Sequence, residues 1–181
     1  VAALLSGPVQ SCLLRVRGHT LLHSSVVAVD GRGLAMIGTV KAGKSTTAMA
    51  LLQLGATVLS DDIAVLVERG DGFDVRPCDP RLRLGQDSAE VYGSYADLQE
   101  LWSPGENRPQ KRLYRNADPR AEALSDVPLG AIYLLEPREP GLETTMITGV
   151  PTTEAILKLM ANRFMAYTLE RAEVTRNFQC L

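Results

Sequence analysis

The sequence predicts an α/β fold, a mixed sheet with a P-loop that runs from one strand into a helix. Three observations carry this expectation. The stretch GTVKAGKST, residues 38–46, lies directly between the apolar run Leu34-Ala35-Met36-Ile37 and the helix-like run Thr47-Ala48-Met49-Ala50-Leu51-Leu52. A strand, a loop of form G-x-x-x-x-G-K-S and a helix are the parts a phosphate-binding loop requires. A second run, 129–135, is almost wholly apolar, as a strand covered on both faces must be. Between them, the strand pattern 56–60 ends in two adjacent carboxylates, Asp61 and Asp62.

Length and composition fit one domain with its own core. The chain has 181 residues, 45% hydrophobic and 22% charged, which reads as ordinary globular protein. A net charge of −2 argues against nucleic acid as a partner, because neutralising a phosphate backbone needs a basic surplus. Cys12, Cys78 and Cys180 are odd in number and lack C-x-x-C spacing. Neither a disulfide framework nor a zinc site is expected, and a reducing cytoplasm fits best. No apolar run approaches the roughly 20 residues of a membrane helix. Residues 1–5 lack the charged start and long apolar core of a signal peptide. The chain begins without Met and ends shortly after a helical pattern, so a piece of a longer protein is expected.

Taken in order, residues 13–17 alternate apolar and basic and predict a short edge strand. Residues 20–30 predict one longer strand, 30–33 a turn, and 34–37 the strand that enters the loop. With Gly31 and Arg32 as turn residues, cross-strand partners have numbers summing to 63. His23 then lies opposite position 40 and Ser25 opposite Gly38. A one-residue slip would reverse the faces. His23 reads equally as a packed core histidine, sharing a face with Val27 and Val29, or as a group for proton chemistry.

The loop itself is chemically specific. Gly38 and Gly43 let the backbone curl so that successive amides, through Thr39, Val40, Lys41, Ala42 and on to Thr46, face phosphate oxygens. The helix that starts near Lys44 adds the positive end of its dipole. Lys44 supplies a point charge for the β- and γ-phosphates, and the Ser45 hydroxyl one ligand for Mg²⁺. Lys41 is a second cation, suited either to phosphate or to solvent. The helix is expected over 44–54, ending at Gly55 as a C′ residue. Asp61 and Asp62 then offer carboxylates for a metal shell and for an acceptor hydroxyl, or else an ordinary cap or turn. Adjacent residues of a strand face opposite ways, so the two would divide the work.

Beyond the acidic pair, 63–68 and 73–76 predict a hairpin around 69–72. Residues 77–86 predict a loop whose Arg81 and Arg83 serve a phosphate, a protein substrate or solvent. Residues 87–102 read as one broken or two short helices interrupted at Gly93. Residues 103–110 read as a connector or substrate loop. Strands are expected over 111–115, 129–135 (central) and 143–148. Pro151 and Thr152 open a helix with Ile156, Met160, Phe164 and Tyr167 at helical spacing.

Four features in order, LLHSSVVAVDGRG, GTVKAGKST, LLQLGA and VLSDD, resemble the C-terminal catalytic domain of the HPr serine kinase/phosphorylase family. The spacing is also similar, with His23 lying 21 residues before Lys44 and the acidic pair 17 and 18 after it. The resemblance covers residues 21–65. It implies a mixed sheet with a P-loop shaped like that of phosphoenolpyruvate carboxykinase. It further implies ATP and Mg²⁺ as cofactors, with Lys44 and the loop amides on the phosphates and Ser45 and Asp61 on the metal. The acidic pair would hold the catalytic base, assigned to Asp62 with the reverse left open, and His23 would sit beside it. The acceptor would be a serine of a protein or peptide, and homo-oligomers are expected. The family's glycine-rich signature after the acidic pair is missing, so the chain is more similar to divergent HPr-kinase-like proteins of bacterial biosynthetic clusters, some of which phosphorylate a precursor peptide. Two alternatives stand beside this: a small-molecule or carboxykinase-like phosphotransferase using convergent arginines, and a nucleotide sensor without phosphotransfer.

Overall fold

The computed structural model describes residues 9–92, 98–102, 112–116, 125–137, 141 and 144–163. In chain order they form α1 (Gln10–Val16), β1 (Thr20–Leu22), β2 (Ser24–Val29), β3 (Arg32–Ile37), α2 (Lys44–Gln53), β4 (Thr57–Ser60), β5 (Ala64–Arg69) and β6 (Gly72–Arg76). After these come β7 (Arg81–Leu84), α3 (Gln86–Tyr92), β8 (Leu98–Trp102), β9 (Arg112–Asn116), β10 (Val127–Leu134) and α4 (Thr152–Ala161). The α/β class is as expected. A seven-stranded sheet runs β1-β5-β6-β10-β3-β2-β4, and a three-stranded sheet runs β7-β9-β8. The large sheet is mixed: β10 is parallel to β3 and all its other pairings are antiparallel.

The sheet curls because the chain joins its two ends twice. β1 is an edge strand beside β5, whereas β2, which follows after a single residue, lies between β3 and β4 at the far end. The second joint is 61–63, between edge strand β4 and β5. Curling turns one face inward, and every strand of the sheet contributes to the core that fills it. Leu22, Val26, Ala35, Leu59, Leu66, Val75 and Val127 form this inner cluster, with Leu159 of α4 against it. The outer face of β2, β3 and β4 is covered by α2 and the small sheet, enclosing Met36, Met49, Val58, Leu82 and Tyr114. Leu14 of α1 covers Leu21, Ile63 and Val65.

Several expectations are corrected. Residues 20–30 are two strands, because His23 leaves the ladder and gives its N–H to Asn162 O at 2.8 Å. The β2–β3 turn is Asp30-Gly31, with φ of 48° and 74°, the positive pair a tight hairpin turn demands. Partners therefore sum to 61, not 63, as in Ser25↔Met36. An even offset keeps every face, but His23 lies outside the ladder rather than opposite position 40.

Residues 13–16 belong to helix α1, not a strand, and Arg17 is its C-cap. Leu13 and Val16 are exposed, so the alternation there does not reflect burial. The helix is ended by Gly18 (φ 86°), whose N–H reaches Arg15 O at 2.8 Å while His19 N–H reaches Leu14 O at 3.1 Å. Within 77–86, Arg81-Leu82-Arg83-Leu84 is a strand with both leucines fully buried; the flanking prolines masked this alternation. The second half of 87–102 is a strand too, paired to β9. Residues 144–150 form no strand and are exposed.

The helix 44–54, the strand within 56–60, the 63–76 hairpin, the strand within 111–115, the central strand and the helix at Thr152 are found as expected. The expectations for 1–5, 103–110, Phe164, Tyr167 and Cys180 fall outside the described residues. No helix among the described residues is long and apolar enough to cross a membrane.

Candidate functional site

The loop between β3 and α2 is held in one shape by three residues with positive φ: Gly38 (153°), Lys41 (69°) and Gly43 (102°). Gly38 passes so close to the end of β10 that a Cβ there would lie 2.7 Å from Leu135 O and 3.1 Å from Ala42 Cβ. The Ala42 N–H closes a turn on Thr39 O at 3.1 Å, and the Thr47 N–H opens α2 on Gly43 O at 2.8 Å. No side chain caps α2, and its first turn holds no acidic residue. The positive end of the helix is therefore uncompensated from within the helix.

Lys44 is buried and curls back over the loop, its Nζ donating to Gly38 O at 2.8 Å and Thr39 O at 3.1 Å. Thr39, Val40 and Lys41 form the exposed tip. Thr46 Oγ1 and Ser88 Oγ, 2.7 Å apart, tie α2 to α3.

The acidic pair lies where β4 crosses to β5. Asp61 is buried and fully engaged. Its Oδ1 accepts from Ser25 Oγ at 2.5 Å and Ser45 Oγ at 2.9 Å, and its Oδ2 from Arg83 N–H at 2.8 Å and Ser45 Oγ at 3.1 Å. Burial pushes the Asp61 carboxyl above the ordinary range and the charge of Asp62 pushes the same way; the Ser25, Arg83 and Ser45 hydrogen bonds pull back without reversing it.

Asp62 has a φ of 74°, a left-handed conformation that Asp tolerates better than most residues. That conformation breaks strand geometry at the pair, and one residue of β7 reaches both acids. Arg83 gives its main-chain N–H to Asp61 Oδ2 and its Nη1 to Asp61 O at 3.4 Å, and the same Nη1 forms an ion pair with Asp62 Oδ2 at 2.9 Å. Asp79 lies behind it. Its carboxylate takes Arg81 through two bonds of 2.6 and 2.7 Å and faces Arg83 Nη2 at 3.8 Å, while its carbonyl accepts the Asp61 N–H at 3.1 Å. His23 Nδ1 is 3.0 Å from Asp62 O; a carbonyl can only accept, so the proton of this bond is on Nδ1.

The fold thus brings Lys44, Ser45, Asp61, Asp62 and His23 together, with Ser45 joining the loop to the acidic pair. Gly38, Ala42, Gly43 and Thr46 shape the loop around them. His23 meets the backbone carbonyl of Asp62. Arg81 and Arg83 are ion-paired rather than solvated. Ser25, Asp79 and the double grip of Arg83 were not foreseen; the alternating RLRL run is the signal that would have placed Arg83 on a strand. The Ser45 hydroxyl and the Asp61 carboxylate are hard oxygen donors in direct contact, a pair that suits Mg²⁺, which takes one or two protein oxygens and completes its shell with phosphate and water. No group of three or more His, Cys, Asp and Glu able to hold a metal occurs among the described residues, which is compatible with so sparse a set.

No family model matches the chain, and no curated protein matches it. Among solved structures it is similar to the Hpr(Ser) kinase/phosphatase from Coxiella burnetii, with a TM-score of 0.33 and 19% identity over 40% of this chain and 53% of that one. The chain thus spans about half the length of that structure.

Proposed function

We propose that this protein is an ATP- and Mg²⁺-dependent kinase that transfers the γ-phosphoryl group to a serine hydroxyl of a protein or peptide. The observation that carries this reading is the Ser45–Asp61 contact, which couples a Lys44-bearing loop to a buried acid whose neighbour, Asp62, remains open. Lys44 and the first-turn amides of α2 bind the β- and γ-phosphates, with Lys44 exchanging the carbonyls of Gly38 and Thr39 for phosphate oxygens. Mg²⁺, held by Ser45 and Asp61, neutralises phosphate charge when bound.

Asp62 is the better base. Both oxygens of Asp61 are already engaged and buried, whereas the Asp62 side chain is 30% exposed and contacts Arg83 through one oxygen. Asp62 takes the proton of the serine hydroxyl as its oxygen bonds the γ-phosphorus and the bond to the bridging oxygen of ADP breaks. Catalysis is then mostly positioning and charge neutralisation. The small-acid alternative needs arginines at liberty to meet a substrate carboxylate, and Arg81 and Arg83 are instead committed to aspartates.

The test uses γ-labelled ATP, Mg²⁺ and either HPr or peptides encoded nearby as acceptors. Wild type should label an acceptor serine. Asp62→Asn should lose about 10²–10⁴-fold in rate while still binding nucleotide, and Lys44→Ala should lose binding as well. Nucleotide binding with no label moved to any acceptor would favour the sensor instead. Absence of binding would overturn the phosphate-loop assignment altogether.

A further inference from the structure

We infer that Arg83 is the positioning residue of this site, holding Asp62 in its working place through the guanidinium while its main chain fixes Asp61. The inference rests on the kinase reading above and deepens it. Neighbouring carboxylates repel, and a strand would direct them to opposite faces. Here both turn toward β7, and the same residue takes each with a different group: N–H to Asp61 Oδ2 at 2.8 Å, Nη1 to Asp62 Oδ2 at 2.9 Å. The two contacts fix the distance between the acids, because main-chain N–H and guanidinium belong to one residue anchored in a strand.

The anchor is itself braced. β7 pairs with β9 from Arg81↔Arg115 to Leu84↔Arg112, and Leu82 and Leu84 on either side of Arg83 are fully buried. Asp79, nearly buried, faces Arg83 Nη2 at 3.8 Å and is held by Arg81, so the guanidinium is flanked by carboxylates on two sides. Ser45 and the Arg83 N–H share Asp61 Oδ2, which ties the position of the base to the phosphate loop. Asp62 has Oδ2 at the guanidinium, which leaves Oδ1 to take the acceptor proton. A base displaced by about 1 Å loses on the order of 10²-fold in rate, and that is the scale of loss this grip prevents.

The experiment compares wild type, Arg83→Met, Arg83→Lys, Asp62→Asn and the Arg83→Met/Asp62→Asn double variant in the labelled-ATP assay, with nucleotide affinity measured on each. For Arg83→Met the expected result is a kcat lower by about 10²-fold with KM for ATP and nucleotide affinity within about twofold of wild type. Arg83→Lys, which keeps charge but not the fork, should recover part of the loss. The double variant should be no slower than Asp62→Asn alone, because a residue that acts only through Asp62 has nothing left to position.

A wild-type kcat in Arg83→Met overturns the inference. So does full additivity in the double variant, which would mean that Arg83 touches the transferring group itself. Loss of nucleotide affinity in both Arg83→Met and Arg83→Lys assigns it a purely structural role. If wild type moves no label, the kinase reading falls and takes this inference with it, a result visible before any Arg83 variant is made.

Discussion

At the scale of single residues, the loop between β3 and α2 owes its shape to close approach as much as to flexibility. Gly38 is the sharpest case: its φ of 153° and the 2.7 Å separation of a built Cβ from Leu135 O leave room for hydrogen alone. Gly38→Ala must push the loop off β10 or twist its backbone. The expected cost is about 1–3 kcal/mol, read as a lower melting temperature, with weaker nucleotide binding alongside. The loop could be placed from the sequence because its glycines fall between an apolar run and a helical run. Asp61 and Asp62 could be found but not told apart by position. Burial separates them, and burial depends on Ser25 and Arg83, which come from distant strands.

Among elements, the strands that succeeded as predictions had turn residues of fixed meaning at their ends or apolar residues throughout, as in the 64–76 hairpin and β10. Those that failed had signals that compete. In α1, alternation was an accident on an exposed surface, and Gly18 as a helix-ending residue was the better guide. In β7, two prolines outweighed a clean four-residue alternation. His23 divides one strand into two because its N–H bonds Asn162, a partner more than a hundred positions away that no local pattern announces.

Pairing between β6 and the start of β10 has its own fastener, Arg76 to Asp126 through two hydrogen bonds of 3.0 and 2.8 Å. The Arg76 hydrogen bonds, with smaller help from its charge and from His19, hold the Asp126 carboxyl below the ordinary range. A depressed carboxyl pKa gives stability that is present above the unfolded value of about 3.9 and is lost as pH falls through the folded one. Asp126→Asn should therefore melt below wild type at pH 7, with the gap closing below about pH 4. Both partners are substantially exposed, so the difference should be small, about 0.2–1 kcal/mol.

For the whole molecule, the question is what joins the curled sheet to the small sheet that carries Arg83. Tyr114 of β9 does much of it, fully buried in the core beneath α2 with Met49, Leu82 and Leu84. Its hydroxyl finds no hydrogen-bond partner among the described residues. Removing the ring by Tyr114→Ala should cost about 3–5 kcal/mol, whereas Tyr114→Phe should be neutral or stabilising, since it removes a buried polar atom and keeps the ring. Thermal melting of the two variants would check this, and a large loss in Tyr114→Phe would reveal a partner for the hydroxyl.

The curl also bears on self-association. An open sheet ends in two rows of amides and carbonyls that can recruit a strand from another copy. Here both ends are blunted by short irregular segments. At β1, Asn162 O takes the His23 N–H and Arg163 bridges to Leu22; at β4, the Cys78 N–H meets Leu59 O and Asp79 O takes the Asp61 N–H. These blocking contacts fall on or beside the acidic pair and its supports. The residues beside the acidic pair thus also cover the two ends of the sheet, and a substitution that loosens His23 or Asp79 is expected to lower solubility.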